Sequence, residues 1–141
     1  MDAYVWPEGI ECLVIKGDNI YDIVVPNGVT YVLCNDLPLR SIQLPDTVKD
    51  LICDNCCLKN LELPAGIMKV LANNNWLTSV TFRGQPYRLR ELNLQDNRLK
   101  SIDFEPPATL KEINLSGNRV RPLQVPKPLA RKINTMLSAI V

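Results

Sequence analysis

Four prolines, Pro7, Pro26, Pro45 and Pro64, stand 19 residues apart, and each opens a short segment that closes on an apolar residue: Pro7-Glu8-Gly9-Ile10, Pro26-Asn27-Gly28-Val29, Pro45-Asp46-Thr47-Val48 and Pro64-Ala65-Gly66-Ile67. Proline fixes φ and has no N–H to give to a ladder or a helix interior, so a proline returning at a constant step marks one corner of successive structural units. Self-similarity at a period near 20 residues is the signature of a solenoid. Each unit of such a fold packs only on its neighbours, and one core runs the length of the stack.

Numbered from the apolar residue after the corner, six units begin at Ile10, Val29, Val48, Ile67, Leu89 and Leu110, the first five being 19, 19, 19, 22 and 21 residues long. Apolar residues recur at positions 1, 4, 6, 11, 14 and 16 of each unit. Positions 4 and 6 alternate with polar neighbours, a period of two, which predicts a short strand per unit with those two side chains facing the core. Stacked units then form a parallel sheet whose six or seven strands, about 4.8 Å apart, span on the order of 30 Å. About eight residues remain for the return path, and with proline near its start that side is expected to be extended or polyproline-like.

Leu89, Leu92, Leu94, Asn97, Leu99, Ile102 and Phe104 of the fifth unit sit in the frame LxxLxLxxNxLxxLxL. The sixth unit repeats it with Leu110, Ile113, Leu115, Asn118, Val120, Leu123 and Val125, and the fourth with Ile67, Val70, Ala72, Asn75, Leu77, Val80 and Phe82. This frame resembles the leucine-rich repeat, and the likeness covers the chain from about Tyr4 to Leu129. Units ending in Leu44-Pro45 and Leu63-Pro64 resemble the short repeats of bacterial effectors, which dock host proteins and in some cases carry a ubiquitin ligase domain; these 141 residues hold no such domain. The resemblance implies an α/β solenoid with its parallel sheet on the concave face. It also implies that the position 9 asparagine bonds backbone groups of adjacent coils. Cys56 takes that slot in the third unit, and Asp18 and Leu37 take it in the first two, where Leu37 predicts a locally altered turn or a bound water, and the first coils are expected to be less regular than the last three.

Solenoid ends expose apolar core unless capped. Tyr4-Val5-Trp6-Pro7 fits positions 14 to 17 of a truncated preceding unit, so residues 1–9 are assigned as an N-terminal cap, 10–128 as six repeats and 129–141 as a C-terminal capping helix. The helix rests on Leu129, Ile133, Met136, Leu137 and Ile140 at helical spacing after Pro126 and Pro128.

Composition narrows the function. The chain has no histidine, which removes the commonest general base and metal ligand together with every Ser-His or Cys-His nucleophile pair. No phosphate loop or nucleotide motif is present, so the expected function is non-enzymatic, with no cofactor. Cys53 and Cys56 form a CxxC, but a zinc site needs four converging ligands; in the repeat frame Cys34 and Cys53 are core residues, and no metal is expected. Five cysteines, an odd number, behind an N-terminus without a secretory signal predict reduced thiols in a cytoplasmic setting, the host's if the chain is an effector or viral protein. No run is long and apolar enough for a membrane span.

Position 5 reads Val14, Leu33, Ile52 and Leu71 in the first four coils, an apolar ladder on the face turned away from the core, and turns to Asn93 and Asn114 in the last two. An apolar strip with a polar rim is the form of a protein-binding surface; strand-favouring residues packing on one another are the competing explanation. The candidate partner-binding residues are Tyr31, Leu33, Ile52 and Leu71, with Asp50, Lys69 and Asn73 on the rim. A second candidate is a basic edge of Trp76, Arg98, Lys100, Arg119 and Arg121, joined by loop residues Arg83, Arg88 and Arg90, which suits an acidic protein or remains a solvated rim. Residues 1–70 carry ten acids and five bases, net −5, and residues 71–141 five acids and eleven bases, net +6. The overall charge of +1 disfavours nucleic acid. The chain is expected to be a monomeric docking module or scaffold, or alternatively a subunit of a larger hetero-assembly such as a virus particle.

Overall fold

The computed structural model describes residues 4–5, 9–120 and 126–134. Six strands, β2 (Cys12–Val14), β4 (Tyr31–Leu33), β6 (Asp50–Ile52), β8 (Lys69–Leu71), β10 (Glu91–Asn93) and β11 (Glu112–Asn114), form one parallel sheet in the order β11-β10-β8-β6-β4-β2. Each is positions 3 to 5 of one unit, paired in register with the next: Leu13 faces Val32, Val32 faces Leu51, Leu51 faces Val70, Val70 faces Leu92 and Leu92 faces Ile113. The molecule is therefore a solenoid of stacked parallel strands with very little helix.

Its core is the repeat frame made three-dimensional. Positions 4 and 6 are buried in all six coils, from Leu13 and Ile15 to Ile113 and Leu115. Position 11 supplies Leu39, Leu58, Leu77 and Leu99 with no exposed surface, and positions 14 and 16 close the far side with residues such as Ile23, Leu61, Leu63 and Phe104.

Of the two forms expected for the return side, extended or polyproline-like, it takes the first. Its extended segments pair as parallel strands: β1 (Tyr4–Val5), β3 (Asp22–Val24) and β5 (Ser41–Gln43) in one ladder, β7 (Asn60–Pro64) and β9 (Ser79–Arg83) in another. Coils of equal length stack these segments at the distance and register a backbone ladder needs, which a free polyproline segment would leave to water. Tyr4 pairs with Ile23, which is position 14, so the start of the chain does take the register of a truncated preceding unit; Trp6 and Pro7 lie outside the described residues.

The corner prolines open β-turns. The N–H groups of Val29, Val48 and Ile67 donate to the carbonyls of Pro26, Pro45 and Pro64, three residues back. In the fifth unit Pro107 takes this role through the Leu110 N–H, whereas Pro126 accepts from Ala130 at the head of a helix. That helix, α1 (Lys127–Asn134), begins two residues earlier than the spacing predicts and incorporates Pro128, which is compatible with a first turn because its N–H is not needed there. Leu129 is fully buried in the core and the Lys132 ammonium donates to the Ala108 carbonyl, so α1 packs on the last described coils. The rest of the expected helix, with Met136, Leu137 and Ile140, lies outside the described residues, as do Leu123 and Val125. Among the described residues no helix is long and apolar enough to cross a membrane.

Candidate functional site

The sheet face is built by a turn that the chain repeats in every coil. Position 8, three residues past the strand, has φ between +55° and +60° at Asp36, Asn55, Asn74 and Asp96, and Gly17 and Gly117 hold positive φ at the two ends of the stack. Asparagine, aspartate and glycine are the residues that tolerate this left-handed conformation. A Cβ at Gly117 would also collide with the Asp96 carboxylate. The run Gly-Asp-Asn-Asn-Asp-Gly down position 8 is the sequence signal for this turn, and the apolar frame alone passes over it. Asp36 adopts the same φ as its counterparts, so the altered turn expected beside Leu37 does not occur; Leu37 is buried as an apolar filler.

Two polar ladders lock the turns together. The position 9 side chains lie under the turn: Asn97 Oδ1 accepts the Leu77 N–H at 3.1 Å while its Nδ2 donates to the carbonyls of Ala72 at 2.9 Å and Leu94 at 3.0 Å. Asn75 and Asn118 repeat the pattern one coil down and one coil up. At position 7 the Asp54 N–H donates to Asn35 Oδ1, the Asn73 N–H to Asp54 Oδ1 and the Gln95 N–H to Asn73 Oδ1, at 2.7 to 3.0 Å. Asn73, expected on the rim, thus holds its neighbouring coil with its side-chain oxygen.

On this rigid frame Val14, Leu33, Ile52 and Leu71 are consecutive partners in register, followed by Asn93 and Asn114. Val14 is 51% exposed, and Leu33, Ile52 and Leu71 are half-buried by one another. Beside them runs position 3, Tyr31, Asp50, Lys69, Glu91 and Glu112. Asp50 and Lys69 border a shallow cleft of about 390 Å³ completed by Met68, Arg90, Glu91, Lys111 and Glu112. Lys69 Nζ lies 3.9 Å from Glu91 Oε1, an exposed pair that organises the cleft more than it stabilises the fold. The candidate residues Tyr31, Leu33, Ile52, Leu71, Asp50, Lys69 and Asn73 therefore occupy one face, the apolar ones contiguous and the charged ones along one side.

The basic residues do not share one edge. Arg83, on β9, reaches back across the return side, donating to the Leu44 carbonyl at 2.6 Å, to Asp46 at 3.0 Å and to Glu62 at 3.1 Å. Arg90 lines the cleft. Arg88 lies beside the Tyr87 ring. What stays together is position 10 and its neighbour, with Trp76, Arg98, Lys100 and Arg119 all exposed at one corner; Arg121 lies outside the described residues.

All five thiols are unbridged: Cys12 and Cys57 are exposed, Cys34, Cys53 and Cys56 buried. The side-chain contact with Cys34, followed by burial, raises the Cys53 thiol well above its ordinary range, and burial pushes Cys56 up to about 12. Both therefore keep their protons at neutral pH, the opposite of what a thiolate ligand or nucleophile requires. Among the described residues no group of acids and cysteines is arranged to hold a metal ion.

Comparison with family models, with curated proteins and with solved structures gives no match to this chain.

Proposed function

We propose that this chain is a solenoid of the leucine-rich-repeat kind, without enzymatic activity, that binds another protein across its six-stranded sheet. The repeat reading is supported by the position 9 ladder, where Asn75, Asn97 and Asn118 bond backbone groups of adjacent coils from within the LxxLxLxxN frame. The docking reading rests on one observation: the unbroken ladder Val14, Leu33, Ile52 and Leu71 on the side of the sheet that faces away from the core. Leu33, Ile52 and Leu71 are the anchors, Tyr31 extends them, and Asp50, Lys69 and Asn73 orient the partner from the rim. A side chain that is only half-covered by its ladder neighbours gains further burial when a partner lies on it, at roughly 25 cal/mol per Å² of apolar surface removed from water.

A permanent subunit of a shell is the weaker reading. Among the described residues the large apolar side chains with open exposure are Val14, Trp76 and Tyr87, scattered over the surface, whereas obligate interfaces are extensive and strongly apolar. The test is capture by the tagged chain against its Ile52→Glu, Leu71→Glu double variant. A partner retained by the wild type and lost by the folded variant supports the reading; equal capture by both refutes it. A chain that elutes as a monomer on size exclusion supports the docking module over the subunit.

A further inference from the structure

Position 10 places a cation on an aromatic ring. The Arg98 guanidinium carbon lies 3.9 Å from the centre of the Trp76 ring, and Trp76 is 43% exposed. A guanidinium held over a ring face has less side-chain freedom to lose on binding than a free one. Arg119 follows Arg98 in the next coil, roughly 4.8 Å along the stack by the spacing of paired strands, and Lys100 lies two residues from Arg98. None of the three forms an ion pair with a described residue. The acid of the same corner, Asp96, sits against Gly117. Three unpaired like charges within two coils repel one another, and an anionic partner relieves that repulsion.

The size and setting of the patch select the anion. The same corner carries Asp18 in the first coil and Asp36 in the second, both exposed. A long polyanion laid along the stack would leave the cations after two coils and run toward carboxylates, whereas nucleic-acid binding draws on many phosphate contacts along a continuous basic surface. A segment carrying two or three carboxylates fits the cations and meets one acid of this corner, Asp96, in place of the further carboxylates down the stack.

We propose that the corner formed by Trp76, Arg98, Lys100 and Arg119 is a second docking surface, which takes a short Asp/Glu-rich segment of a partner protein. The carboxylates pair with the two guanidinium forks and the Lys100 ammonium, and the exposed part of the Trp76 ring receives the apolar side chain next to them.

The surface stands apart from the sheet anchors, so the two readings fail separately. Fluorescence anisotropy at low salt with a labelled hexapeptide of alternating Asp and Glu measures it. The account expects saturable binding that weakens as salt rises and falls about tenfold in the Arg98→Gln, Arg119→Gln variant, since charge-assisted bonds are lost. Lys100→Gln with Arg119→Gln, which leaves the Trp76 stack in place, lowers binding in the same direction, while Ile52→Glu with Leu71→Glu leaves it unchanged. No saturable binding, equal binding by the Gln variants, or tighter binding of a labelled six-nucleotide single strand overturns the proposal.

Discussion

The thiol of Cys56 donates to the carbonyl of Cys34, 3.0 Å away in the preceding coil, where Asn75 places its amide on Cys53 and Asn118 places its amide on Leu94. The slot demands a short side chain with a donor aimed back by one coil, and sulfur meets half of the demand: it donates, weakly, but the amide's acceptor for the position 11 N–H has no counterpart.

Cys56→Asn therefore restores both halves and is expected to stabilise the fold by about 1 kcal/mol, the net value of a typical buried hydrogen bond. Cys56→Ala leaves the Cys34 carbonyl without its donor and is expected to cost about 2 kcal/mol. Denaturant midpoints of the two variants check both signs.

Asn97 accepts one N–H and serves three carbonyls with its amide, as Asn118 does, but unlike Asn118 it is buried. Asn97→Ala strands the Leu77 N–H and the Ala72 carbonyl inside the stack and is expected to cost about 3 kcal/mol. Hydrogen exchange should accelerate first in the adjoining turns, 73–77 and 95–99, since repeat stacks lose stability locally.

The thiols divide by burial. A native-state titration with an aromatic disulfide reagent near pH 8 should label Cys12 and Cys57 promptly and the other three only on unfolding. Because Cys56 has a folded-state value of about 12, above the ordinary thiol value of 9.0, its contribution to stability is complete below pH 9 and is lost as pH rises from there toward 12. Cys53, raised in the same direction, adds to that alkaline loss. A denaturation series from pH 8 to pH 11 should show stability falling, and the fall should shrink in Cys56→Asn.

On the return side β5 and β7 belong to separate ladders, and Arg83 spans the break by holding Leu44, Asp46 and Glu62 from β9. Arg83→Ala is expected to cost about 1 to 2 kcal/mol, chiefly through the Leu44 carbonyl it leaves behind, because the two carboxylates are exposed and contribute little. Thermal melts at low and high salt should show most of the loss surviving the salt.

The apolar periodicity made the six sheet strands, their inward pairs and the Cys56 slot legible, since burial every second residue is fixed locally. The partnering of polar side chains was not legible. Arg83 reads as a loop cation until the fold brings Asp46 and Glu62, 37 and 21 residues away, to its side. Asn73 reads as a rim contact until stacking aims its carbonyl at the Gln95 N–H. Pro107 escapes the step of 19 because the fourth and fifth units are three and two residues longer than the first three, and those insertions shift the corners that follow. The left-handed residues at position 8 were in plain view as Asp, Asn and Gly, but the reason for those types is a backbone angle, which hydropathy does not record.

The ladder on the open face is the centre of the functional account, and a hydrogen-exchange footprint of the chain with a captured partner tests it most directly. The account predicts that the partner slows exchange at 31–33, 50–52 and 69–71, and that Ile52→Glu with Leu71→Glu, while retaining the wild-type fold, weakens the partner about a hundredfold, as removal of two central anchors does. Protection confined to the return-side strands 41–43, 60–64 and 79–83, with the double variant binding as tightly as the wild type, would contradict it.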